Sequence, residues 1–298
     1  MVTKSEVENI WHGAPLSYFR RVLIKSNALY YRNRSNSPFL SGDTFRFQAD
    51  LDISSLPLND REMAILPQAR VLFCKSNLLQ SFIGLHKRDI AAKVILCGNS
   101  DFEFHDVQLE LPYSVKACFL QNSYISDDER IFPLPIGLEN VRLGTNGIPR
   151  IFNVDAEWES KKNRLLIGPF SLTHDERRML KEFASEEIAS VDFGLKRLTP
   201  KSLARVNSSY MKIAAVRGNG VDTHRLWEIL YLGSIPIIKR DSWSLSLRKL
   251  NLPLEYVDCW SPTEISRVAQ GDYCKPPKPS QLESLWWPYW KKRIEAYC

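Results

Sequence analysis

The chain has 298 residues, enough for two domains. Hydrophobic residues make up 44% and charged residues 25%, the balance of a soluble globular protein with room for a buried core in each half. The net charge of +6, from 40 basic and 34 acidic residues, suits anionic ligands or an anionic membrane surface and is too diffuse to indicate nucleic acid.

Short apolar runs alternate with helical spacing along the chain. Residues 70–74 read as a buried strand, 77–85 carry helical spacing, and 93–97 and 117–120 are further strands. Residues 131–136 close this half as an extended segment. Turn chemistry follows at Gly144-Thr145-Asn146-Gly147-Ile148-Pro149 and marks a domain boundary. The alternation then restarts with strand 164–168, amphipathic helix 175–183, strands 189–193 and 211–216, helix 222–232, strands 235–238 and 254–257, and a short helix at 262–269. Lys275-Pro276-Pro277-Lys278-Pro279-Ser280 is a stiff linker. A final helical stretch, 282–297, contains Pro288, which should kink it or restart it. Its Trp286, Trp287, Tyr289 and Trp290 allow two placements. They pack back across the first half, or they lie on a membrane with Lys291, Lys292 and Arg293 toward anionic lipid.

Strands alternating with helices predict parallel β-α-β units. The expectation is an α/β chain of two Rossmann-like domains facing a cleft, 1–145 and 146–274, with 275–298 as a linker and a helix returning to the first domain. Ligands in such sheets sit at the carboxyl ends of strands. Six cysteines (Cys74, Cys97, Cys118, Cys259, Cys274, Cys298) form no CxxC pair, and the first three sit in apolar runs as buried free thiols. His12, His86, His105 and His174 show no metal spacing. The opening residues carry no signal-peptide core and no run of about eighteen apolar residues occurs. The chain is therefore expected in the cytoplasm, with peripheral membrane contact open.

The most informative stretch is 216–238, which reads as strand end, glycine loop, helix, tight turn and strand. Arg217, His224 and Arg225 crowd the loop and first helical turn, where the helix dipole is already positive. Extra cations there make sense if an anion sits on the free N–H groups. Glu228, one turn further in, suits neutral hydroxyls. Phosphate beside a hydroxylated ring describes a nucleotide-sugar.

The segment from Arg217 to Ile238 resembles the donor-site motif of exostosin-type glycosyltransferases and their bacterial and viral relatives. Ser41-Gly42-Asp43-Thr44-Phe45-Arg46, Asn99-Ser100-Asp101 and Pro135-Ile136-Gly137-Leu138-Glu139-Asn140 are similar to further motifs in those relatives. The resemblance implies a GT-B fold with an acceptor-side first domain and a donor-side second domain. It also implies inverting transfer from a nucleoside-diphosphate sugar without an essential metal. The eukaryotic relatives usually carry an N-terminal membrane anchor, and none is expected for this chain.

The chemistry of glycosyl transfer can be read independently. A departing diphosphate needs charge stabilisation, from a metal or from arginines and a helix start. Asp50-Leu51-Asp52 has the spacing of a metal pair but lies in a plain polar stretch, so the arginine-and-helix solution is expected, with no metal and no other cofactor. Arg217 and Arg225 are the expected diphosphate binders; a surface pair of Arg225 with Glu228 is the alternative. Gly218 and Gly220, flanking Asn219, allow close backbone approach. Asp222 is read as an N-cap, beside Thr223. His224 either touches phosphate or sugar or faces solvent, and Glu228 binds ribose or pairs with Arg225. Asp101, at a strand tip, is a candidate general base or an Asx-turn. Asp43 is a second candidate base or a cap. Asn99, Ser100, Arg46, Glu139 and Asn140 are candidate substrate contacts or ordinary loop positions.

The expected function is a glycosyltransferase moving a sugar from a nucleotide-sugar to a glycan or polysaccharide acceptor. The alternative is an inactive nucleotide- or glycan-binding protein of the same fold. No GxxxxGK[ST] loop supports phosphoryl transfer, and nucleic acid is not an expected partner.

Overall fold

The computed structural model describes residues 26, 28–30, 34–105, 109–125, 127–153, 156–194, 196 and 198–298. The opening residues and His12 lie outside them. Strands β1 (Leu51–Ile53), β2 (Val71–Lys75), β3 (Val94–Gly98), β4 (Ala117–Leu120) and β5 (Ile131–Pro133) form a parallel sheet in chain order. Helices α1 (Gly42–Arg46), α2 (Asp60–Ile65) and α3 (Leu79–His86) accompany it. The second half runs β6 (Lys162–Ile167), α4 (Asp175–Glu182), β7 (Val191–Phe193), α5 (Pro200–Ser208), β8 (Tyr210–Ala214), α6 (His224–Tyr231), β9 (Ile235–Lys239), α7 (Ser242–Ser246), β10 (Glu255–Val257) and α8 (Pro262–Gln270). Its sheet has the order β10-β9-β8-β6-β7, again all parallel. Helix α9 (Trp287–Glu295) ends the chain. The architecture is α/β, with two parallel sheets.

The central strands of the first sheet are unbroken apolar runs because both of their faces are covered. Val71, Phe73, Val94, Leu96, Ala117 and Phe119 alternate onto one face, where they meet Phe45 of α1 and Trp290 of α9. Leu72, Cys74, Ile95, Cys97, Cys118 and Leu120 alternate onto the other, against Leu79, Phe82 and Ile83 of α3. The three thiols are free and buried, and burial pushes Cys97 up to about 12. The first of these cores runs on into the second sheet through Trp227, Leu230 and Tyr231 of α6.

The tryptophan-rich tail is buried rather than presented outward. Trp290 is fully enclosed, edge-on to Phe45 at 5.7 Å and to Phe119 at 6.3 Å. Arg293 lies over Phe132 and Phe119, and the Trp287 N–H donates to the Pro38 carbonyl. Burying one such ring contributes about 2–3 kcal/mol. Pro288 occupies the first turn of α9, where its missing N–H costs nothing, so it starts the helix instead of kinking it. No helix among the described residues is long and apolar enough to cross a membrane.

Two local readings are corrected. The polar stretch around Asp50-Leu51-Asp52 contains strand β1, and its carboxylates are already engaged. Asp50 accepts from the Arg70 and Val71 N–H groups, and Asp52 pairs with Arg46. Helix α6 starts later than the sequence suggested: Thr223, not Asp222, is its N-cap, and Thr223 makes no side-chain capping bond.

Candidate functional site

The chain leaves β6 toward β7 at one edge and returns on the other side at β8. The carboxyl ends of β6 and β8 thus diverge at a switch point, which is where open parallel sheets hold ligands. A cavity of about 860 Å³ occupies that crevice. Gly168 and Pro169 follow β6 into its wall, Val216 and Gly218 follow β8, and Thr223 to Arg225 open α6 there. Phe170, Phe193, Leu198 and Leu203 supply an apolar portion, while Asp101, Ile136 and Glu139 reach it from the first domain. The size and mixed lining suit a nucleotide-sized molecule.

Two guanidinium groups converge on this cavity. Arg225, in the first turn of α6, donates from Nη2 to the Pro169 carbonyl at 2.5 Å and from Nη1 to Asn207 Oδ1 at 3.4 Å. Arg177, in the first turn of α4, donates from Nη2 to the Val216 carbonyl at 2.9 Å. Its Nη1 reaches the Ser171 carbonyl at 3.1 Å and Thr173 Oγ1 at 3.3 Å. Every one of these partners is neutral. Arg177 Nε is buried and has no hydrogen-bond partner. Burial, with Arg225 nearby, pushes the Arg177 guanidinium down to about 10, and burial also lowers Arg225. Two guanidinium groups with one paired carboxylate, Glu228 at 4.0 Å from Arg225, leave positive charge that an anion would balance. The first turn of α6, whose N-cap Thr223 makes no side-chain capping bond, adds N–H groups and helix dipole at the cavity wall, whereas in α4 the His174 ring already accepts from the Glu176 N–H.

Gly218 lets the Arg177 guanidinium lie close to the loop: a Cβ there would be 3.1 Å from Nη2, and the guanidinium would have to give by a few tenths of an ångström. A Cβ on Gly220 would lie 2.7 Å from the Asn122 amide of the first domain. The glycine loop is thus pressed between Arg177 and the opposite domain.

Glu228 lies one turn into α6, on the face shared with His224 and Arg225. Its Oε2 is 4.0 Å from Arg225 Nε, beyond hydrogen-bond range. Burial raises its carboxyl above the ordinary range, and the Arg225 cation only partly opposes this. His224 Nδ1 lies 2.9 Å from the Gly137 carbonyl, which can only accept, so the proton sits on Nδ1 and a neutral ring offers Nε2 as acceptor. Asp222 is buried and accepts from the Ile136 N–H and from Trp227 Nε1, each at 2.8 Å. Burial pushes it up to about 7 despite these bonds. It ties the domain crossover to α6.

The remaining expected residues divide by position. Arg217 is not in the cavity wall. It pairs with Glu103 of the first domain at 2.5 Å. Asn219 lines the cavity and donates to Asp101 Oδ2 at 3.1 Å. Glu139 also lines it, but its carboxylate accepts from Thr145 Oγ1 and from the Asn146 N–H and side chain. Asp43, Arg46, Asn99, Ser100 and Asn140 are outside the wall and are held by one another or by neighbouring residues. Asp43 is held by Arg46 and Arg142, and Asn140 bridges the Asp43 N–H to Asn99 Oδ1. The Ser100 carbonyl accepts from Gln121 and Asn122. Among the described residues no three His, Cys, Asp or Glu gather as a metal-binding group.

Arg177 was missed from sequence. It is a cation in the first turn of a helix that follows a strand, the same signal that singled out Arg225.

No family model matches the chain, and no curated protein matches it. Among solved structures, it is similar to the crystal structure of CalG4, the calicheamicin glycosyltransferase, at a TM-score of 0.37 and 12% sequence identity, over 87% of this chain and 85% of that one.

Proposed function

We propose that the protein is a GT-B-type, exostosin-like glycosyltransferase that moves a sugar from a nucleoside-diphosphate sugar to a hydroxyl of a glycan acceptor. The observation that carries this reading is the pair Arg177 and Arg225, desolvated beside two helix starts at the switch point with only neutral hydrogen-bond partners. A pyrophosphate supplies the negative charge that this arrangement, with Glu228 as the carboxylate paired to Arg225, lacks. Glu228 then takes the ribose hydroxyls, and the apolar portion around Phe170 and Phe193 takes the base.

The chemistry follows as one displacement with inversion. Asp101 accepts the proton of the acceptor hydroxyl, whose oxygen bonds to the anomeric carbon. The bond from that carbon to the phosphate oxygen breaks, and its electron pair leaves on the nucleoside diphosphate. Arg177, Arg225 and the α6 start stabilise that charge without a metal. A second reading, a nucleotide-binding protein without turnover, draws support from the first domain. There Asp43 and Glu139 have their oxygens already engaged, which leaves Asp101 as the open carboxylate.

Incubation with UDP-, GDP- and CDP-sugars tests the proposal. Release of a nucleoside diphosphate from one donor class is expected, increased by oligosaccharide acceptors and unaffected by a chelator. Binding without release for every donor would favour the second reading, and no binding to any would refute both.

A further inference from the structure

The loop joining β8 to α6 alternates its contacts between the two domains. Val216 is held by Arg177 in the cavity, and Arg217 turns to Glu103 of the first domain. Gly218 packs on Arg177, and Asn219 turns to Asp101. The Asp222 N–H donates to Asn122 Oδ1 at 2.9 Å. We infer that Asn219 is a positioning residue for Asp101, and that the Arg217–Glu103 ion pair anchors the loop so that Asn219 reaches it. This rests on the reading of Asp101 as the proton acceptor of the proposed transfer.

Three observations support it. Asp101 sits on an exposed turn after β3, and Asn219 Nδ2 is the one hydrogen-bond donor to its carboxylate among the described residues. A carboxylate that must meet a hydroxyl in one geometry gains from being held before substrate arrives. Next, the holder is a neutral amide. It binds Oδ2 and leaves Oδ1 open to receive a proton, whereas an arginine in its place would hold the carboxylate ionised and weaken it as a base. Finally, the anchor is stronger than one surface pair. Glu103 is mostly buried and lies between Arg217 at 2.5 Å and His105 Nε2 at 3.3 Å. His105 stacks on Tyr124 at 4.7 Å, and the Tyr124 hydroxyl is 3.5 Å from Arg217 Nη1.

The test uses the full chain and the nucleotide-sugar from the panel that it hydrolyses fastest, with water as acceptor. Rates against pH are compared for the wild type, Asn219→Ala, Asn219→Asp, Arg217→Glu, and the swap Arg217→Glu with Glu103→Arg. Thermal shift by the matching nucleoside diphosphate reports donor binding separately. Asn219→Ala should keep the thermal shift and the KM for donor while kcat falls about 10- to 100-fold. Asn219→Asp should move the acid limb of the rate profile to higher pH by about one unit, because two carboxylates then share the site. The swap should recover most of what Arg217→Glu loses. An active wild type with unchanged kcat and an unchanged acid limb in both Asn219 variants would overturn the positioning role. So would equal loss of the thermal shift in Asn219→Ala, which would make Asn219 a donor contact. A wild type that binds the diphosphate but releases it from no donor, with water or with an oligosaccharide acceptor, would instead remove the transfer reading, and this role with it.

Discussion

Two polar clusters flank the domain crossover, and they balance charge in opposite ways. In the first domain, Asp43 is fully buried between Arg46 at 2.9 Å and Arg142 at 2.6 Å, and Arg46 also meets Asp52 at 2.9 Å. Two carboxylates face two guanidinium groups, and the sum is neutral. In the second domain, Arg177 and Arg225 meet carbonyls, a hydroxyl and an amide, with Glu228 at 4.0 Å as the nearest paired carboxylate. The first cluster is complete as it stands and reads as structure. The second holds more positive charge than its protein partners neutralise, next to a cavity. Buried charge tolerates such imbalance poorly, which is the ground for the proposed ligand site.

The contrast predicts different losses on the two sides. Arg142→Ala should destabilise the fold by about 2 kcal/mol, below the range for a fully buried pair because Arg142 is 39% exposed. Denaturant unfolding would measure it, and nucleoside-diphosphate affinity should be unchanged. If that variant unfolded normally but lost nucleotide binding, the first cluster would belong to the ligand site. Glu228→Gln should do the reverse, with little change in stability and about 10-fold weaker nucleotide binding. It should also bind a 2′-deoxynucleoside diphosphate and the ribose form more nearly alike than the wild type does. Equal discrimination by the variant and the wild type would separate Glu228 from ribose.

Much of the fold was legible because parallel strands covered on both faces are continuous apolar runs, as at residues 71–74, 94–97 and 117–120. Strand β1 was not, because Leu51–Ile53 is three residues long and is flanked and interrupted by Asp50 and Asp52. Their engagement with Arg70, Val71 and Arg46 depends on strand pairing that local pattern does not contain. The glycine loop and the first turn of α6 were visible as a local concentration of cations and glycines. Arg177 was not, because Asp175-Glu176-Arg177-Arg178 reads as a solvated helix start. Only the pairing of β6 with β8 brings that turn beside Val216 and Gly218. The direction of Arg217 was equally hidden, since sequence spacing places it on the loop but does not say which domain it faces. The Asp222 reading failed for a related reason: its carboxylate serves Ile136 and Trp227, one of them 86 residues away, and the N-cap falls one residue later, at Thr223.

The central claim is that Arg177 and Arg225 together hold a pyrophosphate. Calorimetric titration of UDP, GDP and CDP into the wild type, Arg177→Gln and Arg225→Gln tests it most directly, with circular dichroism confirming that each variant is folded. One of the three nucleotides should bind the wild type and bind each folded variant about 100-fold more weakly, as expected when a desolvated charge-assisted contact to phosphate is removed. Equal affinity in the wild type and both variants, or no binding of any of the three to the wild type, would contradict the account.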